Sequence, residues 1–107
     1  MTTKNSIAAK EVTPEMMAEW SKKFGEGKCA RVKSEGKTCY LRPPSRTEMG
    51  AYSIAYRTNP VKANEYLAKQ CWLGGDAEML TEDRLFYAVA EKLPELVESA
   101  SAELDRF

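Results

Sequence analysis

The side chains best suited to covalent chemistry are Cys29, Cys39 and Cys71, in a chain of 107 residues that contains no histidine. A thiol becomes a useful nucleophile when something lowers its pKa, and the usual partner, an imidazole, is missing; the commonest general base is missing with it. Cys39 and Cys71 fall on the apolar faces of their segments, where an inert buried thiol is expected, which leaves Cys29 as the cysteine expected at the surface. Three cysteines with no Cys-x-x-Cys spacing fit reduced thiols rather than a disulfide framework, and without histidine a common zinc site cannot be completed. The acidic residues sit mostly at helix starts and solvated positions, not in a pair whose surroundings would split their pKa values. These residues point to no catalytic, metal or cofactor site, and to a protein that is not an enzyme.

Three patterns bear on ligand binding. Gly74-Gly75 follows a helical pattern instead of a strand and lacks the lysine of a phosphate loop, so it reads as a helix stop. Arg42 and Arg46 flank an expected helix start, whose free backbone donors can hold an anion. Ser45 and Glu48, however, have the spacing of a capping box that uses those donors, so a structural role is expected for the group. The basic residues around Tyr40 could line a single strand of nucleic acid. Sixteen basic residues balance sixteen acidic ones, and with one aromatic and no net field this binding loses its main driving term.

The elements that must position these residues divide at Tyr40-Leu41-Arg42-Pro43-Pro44-Ser45. Arg42 and Pro43 each precede a proline and are pushed to extended backbone, which ends a strand at Leu41 or Arg42. Ser45 then caps a helix over 46–57, with Glu48 completing the box and Pro44 and Met49 at the staple positions. Upstream, residues 1–12 have no caps and no sustained period, and are expected to be a flexible tail. Thr13-Pro14 starts a helix that Gly25 stops after Phe24, with Met16, Met17, Trp20 and Phe24 in one apolar stripe. Residues 28–33 and 37–42 form a hairpin. A two-residue Glu35-Gly36 turn pairs Val32 with Cys39 and Ala30 with Leu41 on one face, and leaves Arg31, Lys33, Thr38 and Tyr40 on the other, where Arg31 and Tyr40 could stack.

Downstream the chain reads as helix. Met49, Tyr52 and Tyr56 mark one face of the first and Ile54 and Ala55 another. Asn59-Pro60 opens the next, with Val61, Leu67, Ala68, Cys71 and Trp72 at helical spacing until Gly74-Gly75. Residues 76–80 read as a turn, after which Thr81 caps a helix carrying Leu85, Phe86, Val89, Ala90 and Leu93. Leu96, Val97, Ala100 and Leu104 keep the same phase past Pro94, which predicts a kinked helix or two helices meeting near Leu93. The expected fold is therefore α+β: a mostly helical single domain over 13–107, with one antiparallel hairpin in its N-terminal third. No apolar run approaches the roughly 20 residues of a membrane span, and residues 1–12 lack the layout of a signal peptide.

Read together, a tryptophan-bearing first helix ending Lys23-Phe24-Gly25, a hairpin leading into Leu41-Arg42-Pro43-Pro44-Ser45-Arg46, and Cys71-Trp72-Leu73-Gly74-Gly75-Asp76 resemble the small tail assembly chaperones of phages and prophages. The succession covers about residues 14–96. The resemblance implies a non-enzymatic protein of the bacterial host cytoplasm that binds the tape measure protein during tail morphogenesis, with the tail tube protein as a second candidate partner. It carries no active-site pattern, so Arg42, Pro43, Ser45, Glu48, Gly74 and Gly75 enter as structural determinants. Two open hairpin edges and several partly apolar helix faces predict partner binding or self-association, and a groove beside Tyr52, Tyr56 and Trp72 is the expected seat for an amphipathic helix. No nucleic acid, membrane or cofactor is expected. The alternatives are a small prophage-encoded regulatory or nucleic-acid-binding protein, which would shift oligonucleotides in a salt-dependent way, and a thiol enzyme dependent on Cys29.

Overall fold

A computed structural model describes residues 7–96 and 102–107. The fold is α+β, with five α-helices among the described residues and a three-stranded antiparallel sheet in the order β1-β2-β3. Strands β1 (Ala30–Ser34) and β2 (Lys37–Leu41) pair Val32 with Cys39 and Ala30 with Leu41, the register set by the two-residue turn. Glu35 and Gly36 both take left-handed backbone, φ 50° and 81°, which matches the strand twist of such hairpins. Glycine adopts it freely, and the Glu35 carboxylate beside the turn accepts from Arg84 Nη1 at 2.6 Å.

The local start signals form as expected. In α1 (Pro14–Phe24) the Thr13 hydroxyl accepts from the Met16 N–H at 3.1 Å. At the head of α2 (Arg46–Thr58), Ser45 Oγ accepts from the Glu48 N–H at 3.1 Å, while Glu48 Oε1 accepts from the Ser45 N–H at 2.8 Å. Asn59 Oδ1 caps α3 (Pro60–Gln70) by accepting from the Lys62 N–H.

The main departure is a third strand. The helix expected to run to Gly74 stops at Gln70, and Trp72–Gly75 forms β3 against the second edge of β2, with Leu41 opposite Trp72, Tyr40 opposite Gly74 and Cys39 opposite Gly75. Leu73 is the extra residue of a bulge, which lets Trp72 face the core while Leu73 turns to the other side. Gly75 is therefore a close-approach residue and not a helix stop. Its φ is 135°, and a Cβ would lie 2.5 Å from Cys39 Cα and 2.6 Å from the Thr38 carbonyl oxygen. Asp76 prolongs the pairing: its N–H donates to the Thr38 carbonyl at 2.8 Å and its Oδ2 accepts from the Thr38 N–H at 2.9 Å.

The core lies on one face of this sheet. Val32, Cys39, Leu41 and Trp72 meet Leu67, Ala68 and Cys71 from the end of α3, and Leu85, Phe86, Val89, Leu93 and Leu96 from α5 (Asp83–Leu96). Residues 76–80, expected as a turn, include the start of a short helix α4 (Glu78–Thr81), because fully buried Met79 folds the segment down onto the core. Thr81 consequently ends α4, its hydroxyl donating to the Ala77 carbonyl, and does not cap α5. Pro94 lies inside α5, which continues to Leu96 instead of dividing at Leu93. Val97 and Ala100 lie outside the described residues, and Leu104 is exposed outside any helix.

The opposite face is covered thinly by α1, where the Trp20 and Tyr40 rings stand 5.8 Å apart at 46° and no residue of the helix is buried. Tyr40 is opposite Arg31 as the register requires, but its ring meets Trp20; the cation over a ring among the described residues is Lys23 above Phe24. Of the tail expected over 1–12, residues 1–6 lie outside the described residues. Residues 7–12 are docked instead: the Gly75 N–H donates to the Ile7 carbonyl at 2.7 Å and Ala9–Glu11 makes a 3-10 turn, so part of the outer edge of β3 is satisfied. Among the described residues no helix is long and apolar enough to cross a membrane.

Candidate functional site

The residues around the proline hinge converge on Arg42. Its backbone N–H donates to the Cys71 carbonyl at 2.8 Å, and its guanidinium reaches three elements. Nη1 and Nη2 take the two carboxylate oxygens of Glu48 at 2.9 and 2.6 Å, Nη2 also donates to the Gln70 carbonyl at 2.7 Å, and Nη1 to the Pro43 carbonyl at 3.0 Å. One side chain thereby ties the end of β2, the start of α2 and the end of α3. The two side chains are 19% and 15% exposed, so this bidentate pair is shielded well beyond a surface ion pair. The guanidinium hydrogen bond, with help from the Ser45 cap, holds the Glu48 carboxyl down at about 2 against the cost of burial. With Glu48 engaged by Arg42 and by the Ser45 N–H, this helix start is a knot of mutual hydrogen bonds and its basic group is already paired. The sequence showed the capping box but not the Arg42 pair, whose signal was an arginine six residues before the box glutamate.

The three aromatics expected to share a groove do not. Tyr52 and Tyr56 stand together on α2, ring centroids 5.5 Å apart, and line a shallow hollow with Ser53; the Tyr52 hydroxyl donates to Asn64 Oδ1 on α3 at 3.1 Å. Burial and the neighbouring Tyr56 push the Tyr52 phenol up. Trp72 is 3% exposed in the core, because the change from helix to strand turns it inward, and its Nε1–H has no hydrogen-bond partner among the described residues. What α2 and α3 offer instead is exposed apolar surface at Tyr56, at Ile54 (70% exposed) and at Val61 (51% exposed), on a helix α2 that buries none of its residues.

The thiols sort as their surroundings dictate. Cys39 and Cys71 are fully buried, and desolvation pushes them up to about 12 and about 11. Cys29 is half-buried beside α1, its Sγ 3.8 Å from the Trp20 carbonyl oxygen, and burial raises it too. None has a base within hydrogen-bond reach among the described residues, nor do three or more Cys, Asp or Glu side chains gather there as metal ligands would.

A second open region was not legible in the sequence because it forms only when α5 crosses the hairpin. Beside β1 lies a hollow of about 430 Å³ whose floor is Ala30, Val32, Leu41, Pro43 and Leu96. Its rim is mostly basic: Lys28, Arg31, Lys33 and Lys92, with Glu95 held by Lys92 at 3.4 Å. Compared with family models, curated proteins and solved structures, the chain matches none of them.

Proposed function

We propose that this protein is a binding protein of the phage tail assembly chaperone type, acting in the bacterial host cytoplasm, that holds a long helical polypeptide, the tape measure protein, in a soluble form before the tail tube closes round it. The observation that carries the reading is α2: it buries none of its residues fully, yet presents exposed Ile54 and Tyr56, and the head of α3 adds exposed Val61. Held to the domain by its caps, by the Arg42–Glu48 pair and by Met49 and Tyr52 against the core, α2 still shows apolar side chains outward, surface suited to the apolar stripe of another helix. The motif succession from Phe24 to Asp76 supplies the family expectation, and the thiols, lacking an activating base, favour binding over catalysis. The regulatory or nucleic-acid reading loses its one candidate platform, since the Tyr40 ring is engaged by Trp20.

The test is co-expression with the tape measure protein. Soluble yield of the long protein should rise, and Ile54→Ser with Tyr56→Ala, both exposed, should remove the rise while leaving thermal stability within about 1 kcal/mol. A partner equally soluble without this chain, with no complex surviving gel filtration, would sink the reading. Trp72→Ala is unsuitable because it opens a cavity in the core.

A further inference from the structure

The two outer edges of the sheet are managed differently. On β3, the Gly75 N–H is taken by the Ile7 carbonyl, and Gly74 sits against Ile7. Strand β1 has β2 as its sole neighbour in the sheet, and among the described residues Ala30–Ser34 makes no backbone hydrogen bond outside that pairing. A free edge carries a row of donors and acceptors ready for another strand. Here the edge also has a hollow of about 430 Å³ beside it, with Ala30, Val32, Leu41, Pro43 and the α5 residue Leu96 as its apolar part and charged side chains, Arg31 and Lys33 among them, round the rest. Arg31 and Lys33, which alternate with Ala30 and Val32 along the strand and reach the rim of the hollow, are exposed and make no ion pair among the described residues.

We propose that the free edge of β1 and the hollow between it and α5 are a docking site for an extended segment of another polypeptide, in which apolar residues alternate with acidic ones. An added strand continues the period of two, so every second side chain drops into the depression and the intervening ones lie beside Arg31 and Lys33. Charge decides the occupant. A second copy of β1 would set Arg31 and Lys33 against the same cations, whereas like charges across a strand pair repel and opposite charges attract. The Lys92–Glu95 pair on the rim is internally balanced, so Arg31 and Lys33 set the sign of the charge beside the edge. Lysines at an edge also discourage indiscriminate pairing, and an acidic alternating strand is the class that such an edge still admits. The site does not rest on the tail-assembly reading and lies apart from the α2 surface on which that reading depends.

The probe is a labelled peptide Asp-Val-Glu-Leu-Asp-Val, blocked at both ends, titrated by fluorescence anisotropy against the full chain. Binding should be saturable, weaken with salt, and slow exchange at those amides of Ala30–Ser34 that face away from β2. Three controls should each lose about tenfold or more in affinity: the same residues as Asp-Glu-Asp-Val-Leu-Val, a backbone N-methylated version, and a version with lysine for each acid. Arg31→Glu with Lys33→Glu, both exposed, should reverse the preference so that the lysine peptide binds better. Equal binding of the scrambled or N-methylated peptide, or an unchanged preference in the double variant, would overturn the proposal. So would protection, without peptide, of those β1 amides that do not pair with β2, whether in a dimer or through this chain's own residues 97–107. Because no phage protein enters the assay, its failure leaves the co-expression result untouched.

Discussion

The two faces of the sheet are built from the same three strands and differ in almost everything else. On the core face, Val32, Cys39, Leu41 and Trp72 are covered by α3, α4 and α5, and Leu41, Leu67, Met79, Val89 and Leu93 are sealed from solvent. On the other, Tyr40 and Leu73 are roofed by α1 through Met17 and Trp20, and Cys29 makes a long contact to the Trp20 carbonyl. Hydrophobic stabilisation scales with apolar area removed from water, so the first face carries the fold and the second is an attachment to it. A helix with good caps and a marginal docking surface is drawn from the low-stability end of a protein's opening spectrum.

The largest effect should come from emptying the core face. Leu93→Ala removes a side chain that is 1% exposed, and is expected to lower the unfolding free energy in urea by about 2–5 kcal/mol. If Leu93→Ala proved as mild as a substitution on α1, the two faces would not differ as described.

Next comes the knot that fastens α2 and α3 to the core face. Removing the Arg42 side chain strands the Glu48 carboxylate and the Gln70 carbonyl, and Arg42→Ala is expected to cost about 2–4 kcal/mol. The pair also fixes an acid response. Glu48 is lowered from 4.5 to about 2 on folding, so the folded state favours its ionised form; that stability is fully present above pH about 4.5 and is lost as pH falls toward 2. The shift corresponds to roughly 3 kcal/mol at most. Stability curves in urea from pH 5 to pH 2 should therefore fall steeply in the wild type and less steeply in Arg42→Ala, and parallel curves would show that Arg42 is not the cause.

The contrast between local and distant causes explains what could be read in advance. The Ser45–Glu48 box, the Asn59 and Thr13 caps and the hairpin register depend on residues within a few positions of one another, and each formed as the spacing required. The third strand depends on β2 offering its second edge to residues far along the chain, Leu41 meeting Trp72 and Cys39 meeting Gly75. Four residues are too few to show a period of their own, and Leu67, Ala68, Cys71 and Trp72 do share helical phase. The core therefore contained the expected residues in the wrong element at Trp72, and the expected Tyr52, Tyr56 and Trp72 groove failed for that reason. The β1 hollow depends on where α5 crosses, which no local pattern encodes.

A smaller change tests the local part alone. Ser45→Ala removes the Oγ that accepts from the Glu48 N–H, but leaves Arg42 on the carboxylate, and should cost about 0.5–2 kcal/mol. No measurable loss in a urea titration would mean that Arg42, not the cap, fixes the start of α2.

The smallest expected effect on global stability is also the sharpest probe of the second face. Trp20 is half-buried, and its main contact is the tilted stack on Tyr40, so Trp20→Ala should cost about 0.5–1.5 kcal/mol, well under the core substitution. Its local effect should be larger, because the ring anchors α1 to the sheet and loosening α1 lifts the backbone carbonyl at position 20 from Cys29. Alkylation under native conditions separates the two: Cys29 should react first in the wild type and several-fold faster in Trp20→Ala. Cys39 and Cys71, buried and pushed up to about 12 and about 11, react only as fast as the whole domain opens. If Cys39 or Cys71 kept pace with Cys29 in either protein, the faces would open together and α1 would be part of the core's cooperative unit.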